Sequence, residues 1–98
     1  MIITVELTFP TDALPRGDAL LKGLARVAAE TGHCLRYEIH ADRDQAGRFL
    51  LYEAWTSPEA FEAYQASPGF GTLAEGVVAL VTEPVRIRRY GAPVNALV

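Results

Sequence analysis

The stretch from Cys34 to Phe70, CLRYEIHADRDQAGRFLLYEAWTSPEAFEAYQASPGF, constrains the fold more than any other part of the chain. Two runs, His33 to about Ala41 and about Arg48 to Trp55, alternate with a period of two, apolar on one side and mixed polar on the other. The connection between them, ADRDQAG, is polar and ends in glycine, as a hairpin loop does. Thr56, Ser57, Pro58 and Glu59 follow at once. They supply a hydroxyl cap, a proline for the first helical turn, and a carboxylate near the positive end of the helix dipole. A hairpin that runs directly into a capped helix implies a sheet with one face toward helices and the other toward a different environment.

The rest of the chain frames this unit. Ile3, Val5, Leu7 and Phe9 alternate with Ile2, Thr4, Glu6 and Thr8, which predicts a first strand over Ile2 to Phe9. Pro10, Pro15 and Gly17 break the chain, and Asp18 is the expected N-cap of a helix over about Ala19 to Thr31 that Gly32 stops. Leu20, Leu24, Val27 and Ala28 give that helix one apolar face. Ser67 and Pro68 repeat the start signal for a second helical piece from about Gly69 to Val81, weakened by Gly71 and Gly76. Pro84 ends it, and Val85 to Tyr90 alternates as a last strand. The order β-α-β-β-α-β predicts an α+β fold of ferredoxin-like type, an antiparallel sheet with helices on one face. The apolar tail over 91–98 is expected to dock on a sheet edge or a partner.

Ninety-eight residues suit a single domain. Half are hydrophobic and only 21% charged, so part of the surface is expected to meet a partner subunit. A formal net charge of -3, with Arg86, Arg88 and Arg89 split between two faces of a strand, argues against nucleic acid as a partner. The single cysteine, Cys34, cannot form an intrachain disulfide, and the N-terminal run MIITVELTF has neither a basic segment nor a long apolar core. No membrane segment and a cytoplasmic location are the expectations.

If helices cover the more apolar face of each strand, that face collects Ile3, Val5, Leu7, Phe9, Leu35, Tyr37, Ile39, Leu50, Tyr52, Ala54, Val85 and Ile87. The other face then carries Glu6, Cys34, Arg36, Glu38, His40, Phe49, Leu51, Glu53, Trp55, Arg86, Arg88 and Tyr90, charges of both signs beside large aromatics. Phe49, Leu51 and Trp55 have little reason to face solvent. The preferred reading is a second sheet from an identical subunit packed here, leaving a lined cavity. A metal set of His33, Cys34 and His40 fails, since adjacent strand residues point oppositely and the ends lie about 20 Å apart. Cys34 reads as a small buried hydrophobe rather than a reactive thiol.

CLRYEIH, FLLYEAW and TSPEAFEAYQASPGF, with EPVRIRRY at the end, resemble the antibiotic biosynthesis monooxygenase family over nearly the whole chain. The resemblance implies a homodimeric α+β barrel, a pocket in each subunit between sheet and helices, and an oxidoreductase that oxygenates a small aromatic, quinol or polyketide-like molecule with O2 and no cofactor. The family's strand-end tryptophan and strand glutamate correspond to Trp55 and Glu53. Many members carry histidine where this chain has Tyr64 and Gly69, so Tyr64 is left as a phenolic hydrogen-bond donor. Haem-degrading relatives use a first-strand asparagine and a later helix histidine, both missing here.

Such chemistry needs a group that removes a proton, a dry site for the resulting anion, and room for O2. Glu53, Tyr64 and His40 are the catalytic candidates. Trp55, Phe49, Leu51, Arg36, Arg86 and Arg88 are the substrate-binding candidates. Glu53 reads either as a base with a raised pKa or as an ion partner of Arg36 across the hairpin, the ion pair being preferred. His40 reads as a base or, preferably, as a solvated rim residue. Trp55 walls a pocket or fills the barrel end. Arg86 and Arg88 orient an anionic substrate or balance Glu6 and Glu38. An isomerase or cyclase on the same architecture, and a non-catalytic small-molecule-binding dimer, are the rival functions.

Overall fold

In the computed structural model, which describes residues 1–91, the elements run β1 (Ile2–Thr8), α1 (Leu14–Glu30), β2 (Cys34–Ala41), β3 (Arg48–Trp55), α2 (Pro58–Gln65), α3 (Pro68–Leu80) and β4 (Arg86–Tyr90). The strands form one sheet in the order β2-β3-β1-β4, and every neighbouring pair is antiparallel. This is the ferredoxin-like arrangement. The molecule is 19 Å deep along its shortest axis, the depth of one sheet and one helical layer. The tail expected to dock elsewhere falls on 92–98, outside the described residues.

Local chemistry explains most of the boundaries. Ser57 and Ser67 each accept a backbone N–H from the residue three positions on, Ala60 and Phe70, and Pro58 and Pro68 occupy the first helical turn, where their missing N–H leaves no bond unmade. Helix α1 begins five residues before the expected Ala19. A short 3-10 turn over Thr11–Ala13 leads into it, and Pro15 fits its first turn just as the other prolines do. Asp18 therefore caps nothing and instead pairs with Lys22, 2.8 Å away on the next turn. The early start sets Gly17 on Phe9, where any Cβ would overlap the ring. The β2–β3 loop is held by Asp42, whose Oδ1 accepts from the amides of Asp44 and Gln45. Those two bonds hold its carboxyl below the usual range.

The core lies between the sheet and the helices. Ile3, Val5, Leu7 and Phe9 point into it as expected, against Leu21, Leu24 and Ala28 of α1 and Val77 of α3. Two strands depart from the expected facing. In β3 it is Leu51, Glu53 and Trp55 that are buried, with Phe49 half-covered beside Phe9, while Leu50, Tyr52 and Ala54 lie on the open face. The register is decisive, because Val5 stands opposite Leu51 and Ile3 opposite Glu53, which puts these residues on the helical side. In β2 a bulge between Cys34 and Arg36 throws Leu35 out to 71% exposure and turns Cys34 toward Trp55. Beyond the bulge Tyr37 and Ile39 face the core, opposite Glu53 and Leu51. No described helix is long and apolar enough to cross a membrane.

Candidate active site

A cavity of about 140 Å³ opens between the sheet and the helices. Strands contribute Val5, Leu7, Tyr37, Leu51 and Glu53, α2 contributes Phe61, Tyr64 and Gln65, and α3 contributes Phe70, Ala74 and Val77. The cavity comes from sequence in a direct way. Alternation on β1 and β3 sends one residue in two downward, and the two serine-proline starts fold α2 and α3 across them as separate short rods. An apolar cavity of about 150 Å³ holds a benzene ring, so one aromatic ring fits here.

Glu53 is the charged group inside it, 3% exposed. Its Oε1 accepts the indole N–H of Trp55 at 3.0 Å, a contact between residues two apart on one strand and hence on one face. Burial pushes the carboxyl up to about 7, and the indole bond holds it back from rising further. Trp55 is itself packed in an aromatic cluster, 5.7 Å from Phe61 and 4.8 Å from Tyr64, whose ring lies 4.8 Å from Phe70. Tyr64 donates its hydroxyl proton to the Leu24 carbonyl at 3.3 Å and interacts with the hydroxyl of Tyr37. Burial and the Glu53 carboxylate raise both phenols well above their ordinary value, so they remain protonated donors.

The structure thus gathers Glu53, Trp55, Tyr64 and Leu51 on one side of the sheet. Arg36, His40, Arg86 and Arg88 stand on the other, so the expected sharing of one face by all of these candidates does not occur. Phe49 is on the helical side but packs on Phe9 and does not line the cavity. The preferred pairing of Glu53 with Arg36 is also corrected. Arg36 Nε binds Glu38 Oε2 at 2.7 Å, and His40 Nε2 lies 2.8 Å from Glu38 Oε1, because residues two apart on β2 share the open face. Tyr37 was not singled out by the sequence, although its position opposite Glu53 follows once the hairpin register is known. Among the described residues, no three His, Cys, Asp or Glu side chains come together in a group able to hold a metal ion.

A ferredoxin-like α+β protein with one buried acid in an aromatic-walled cavity is the class that fold and site define. Residues 1–76 match the model of the antibiotic biosynthesis monooxygenase family, and the chain belongs to that family. Membership supports a monooxygenase-type function. Among solved structures the chain is similar to Rv0793 from Mycobacterium tuberculosis, with a TM-score of 0.87 and 22% identity over 97% of this chain and 96% of that one. It is similar to a putative antibiotic biosynthesis monooxygenase from Nitrosomonas europaea, with a TM-score of 0.84 and 22% identity over 94% and 98%. SnoaB, a cofactor-independent oxygenase from Streptomyces nogalater, gives 0.79 and 20% over 96% and 95%. At these identities the likeness shows the fold alone. No curated protein matches the chain.

Proposed function

We propose that this protein is a cofactor-independent monooxygenase that oxygenates a small aromatic, quinol or polyketide-like substrate in the cavity between sheet and helices. The observation that carries the reading is Glu53, a buried carboxyl titrating near neutrality on the wall of an apolar cavity, in a chain of a monooxygenase family. The description of SnoaB as a cofactor-independent oxygenase agrees with it. Glu53 takes the phenolic proton and the anion is sheltered from water by Leu51, Phe61 and Phe70. Tyr37 offers its hydroxyl to the substrate oxygen, while Tyr64, whose proton goes to the Leu24 carbonyl, walls the site with its ring. The electron-rich ring then reduces O2 and forms a carbon–oxygen bond, and loss of water from the hydroperoxide leaves a carbonyl. A CH2 group and one O2 thereby become a C=O group and one water, with the electrons drawn from the substrate.

Oxygen uptake by metal-free protein against hydroquinones, naphthols and anthrones is the test. Uptake above the spontaneous rate, lowered by about 100-fold or more in Glu53→Gln, is expected. Equal uptake by wild type and Glu53→Gln overturns the role of Glu53, and no uptake with any of the panel overturns the oxygenase. Proton exchange at carbon under anaerobic conditions would then favour the isomerase or cyclase, which uses the same base. The proposal includes a homodimer. On the open face Leu50, Tyr52 and Tyr90 lie among Glu6, Glu38, Arg36, Arg86 and Arg88, a mixture of apolar area and both signs of charge that suits a second copy of itself.

A further inference from the structure

Strand register sets two residues of opposite charge type in one line across the helical side of the sheet. Leu51, Val5 and Ile87 stand opposite one another on β3, β1 and β4, and all three line the cavity. The next row on the same side, two residues along each strand, is Glu53, Ile3 and Arg89. Glu53 and Arg89 are thus two strand spacings apart, about 10 Å between Cα atoms, with an apolar residue between them. Of the three arginines of β4, Arg86 and Arg88 stand opposite Glu6 and Thr4 on the open face, so Arg89 alone is turned toward the helices. Its guanidinium lies over the ring of Phe61, 5.7 Å from the centre, and Phe61 lines the cavity. Ile87 lines it too and is 56% exposed, so cavity and solvent meet at the strand that carries Arg89. Arg89 is itself exposed, and among the described residues the ion pairs engage Lys22, Arg36, His40 and Arg48 but not Arg89. Packing on Phe61 leaves the guanidinium N–H groups able to bind an anion.

We infer that Arg89 is a specificity-determining residue and that the ligand is a hydroxyaromatic carboxylate, with its hydroxyl at Glu53, its ring over Val5 and its carboxylate at the Arg89 guanidinium. The cavity holds one ring, and the lining contains one acid, Glu53, and no Lys, Arg or His. A second charged end of a ligand therefore has to be met at the margin of the cavity, where Arg89 stands. There a carboxylate keeps part of its water and gains charge-assisted hydrogen bonds, whereas among the apolar lining residues it would lose its water without return. A neutral group of the same shape gains less from the arginine. The sequence pointed to Arg86 and Arg88 for holding an anion, and the register gives that part to the third arginine of the strand. This deepens the proposed oxygenase and rests on its cavity being the substrate site.

Isothermal titration calorimetry with 4-hydroxybenzoate and 4-hydroxybenzamide, which share a shape and differ in charge at one end, tests it without turnover. The wild type should bind the benzoate at least about 10-fold more tightly. Arg89→Gln, checked for folding by circular dichroism, should bring the two affinities within about 3-fold, and Arg89→Lys, which keeps the charge without the fork, should fall between. Arg16→Gln, which removes one positive charge from the exposed start of α1, should leave the wild-type ratio. Equal binding of the two compounds by the wild type, tighter binding of the amide, or binding of neither overturns the inference. So does a loss in Arg89→Gln that is the same for both compounds, the result expected if Arg89 only covers Phe61, and so does an equal change of ratio in Arg16→Gln. Benzoate-selective binding that depends on Arg89, in a protein that takes up no oxygen, sinks the oxygenase and leaves the inference standing. Oxygen uptake with neutral hydroquinones that Glu53→Gln lowers, without any preference for the benzoate, does the reverse.

Discussion

Glu53 sets two pH dependences of opposite sign. As a base it must be ionised, so kcat/KM for a neutral phenol should rise with pH through about 7 and level off above it. Stability runs the other way. The carboxyl lies near 4.5 when unfolded and about 7 when folded, so between those values the folded state holds the extra proton and stability falls as pH rises. The loss amounts to about 3 kcal/mol by pH 8, and Glu53→Gln should abolish that slope in urea unfolding measured at pH 4.5, 6 and 8. A Glu53→Gln protein with the wild-type slope would mean another group is responsible. The same residue shows why the site was only half legible. Both alternating sets of β3 contain large apolar residues, and the one containing a carboxylate reads as the set turned away from the helices, toward a second sheet. It is in fact the buried set, because the carboxylate belongs to the cavity. Once Glu53 is placed outside, Arg36 becomes a natural but mistaken partner, and Tyr37 has no reason to draw notice.

At the scale of elements, what was legible had a side-chain cause. The Ser57-Pro58 and Ser67-Pro68 pairs announce α2 and α3 because a hydroxyl oxygen and a fixed φ act on their own few residues. The bulge at Leu35 and the early start of α1 depend instead on distant partners. Cys34 must meet Trp55, and Gly17 must accept Phe9, neither of which a local pattern reveals. Gly47 joins these scales. It sits at φ 89° and its carbonyl accepts the Phe9 amide at 2.8 Å, tying the end of β1 to the hairpin. A Cβ there would overlap the Phe9 carbonyl, whereas at Gly32, with φ 75°, it would meet nothing. Gly32→Ala is expected to cost about 1 kcal/mol, from backbone conformation alone, and Gly47→Ala at least about 2 kcal/mol. Urea midpoints compare them, and equal losses would show that the contact with Phe9 is of no consequence.

For the whole molecule, the corrected facing changes which residue reports on assembly. Leu50 points away from the helices and is 39% exposed, while Leu51 is buried beneath them. Sedimentation at micromolar protein should give a dimer for the wild type and a folded monomer for Leu50→Arg, and Leu51→Arg should fail to fold because it buries an unpaired charge. A wild-type monomer, or a Leu50→Arg dimer, would remove the open face from the proposal. The fold itself was legible at this scale, because the β-α-β-β-α-β order admits few arrangements and the ferredoxin-like one is found. One element bears a further consequence. Strand β4 is a five-residue edge paired, among the described residues, only with β1 and exposed along its whole length, and its neighbour Val85 and its own Ile87 line the cavity. Its backbone amides should therefore exchange with deuterium soonest among the strands, through opening of the edge rather than of the whole chain. A ligand lodged in the cavity rests against Val85 and Ile87, so it should slow exchange in β4 before it slows exchange in the inner strands.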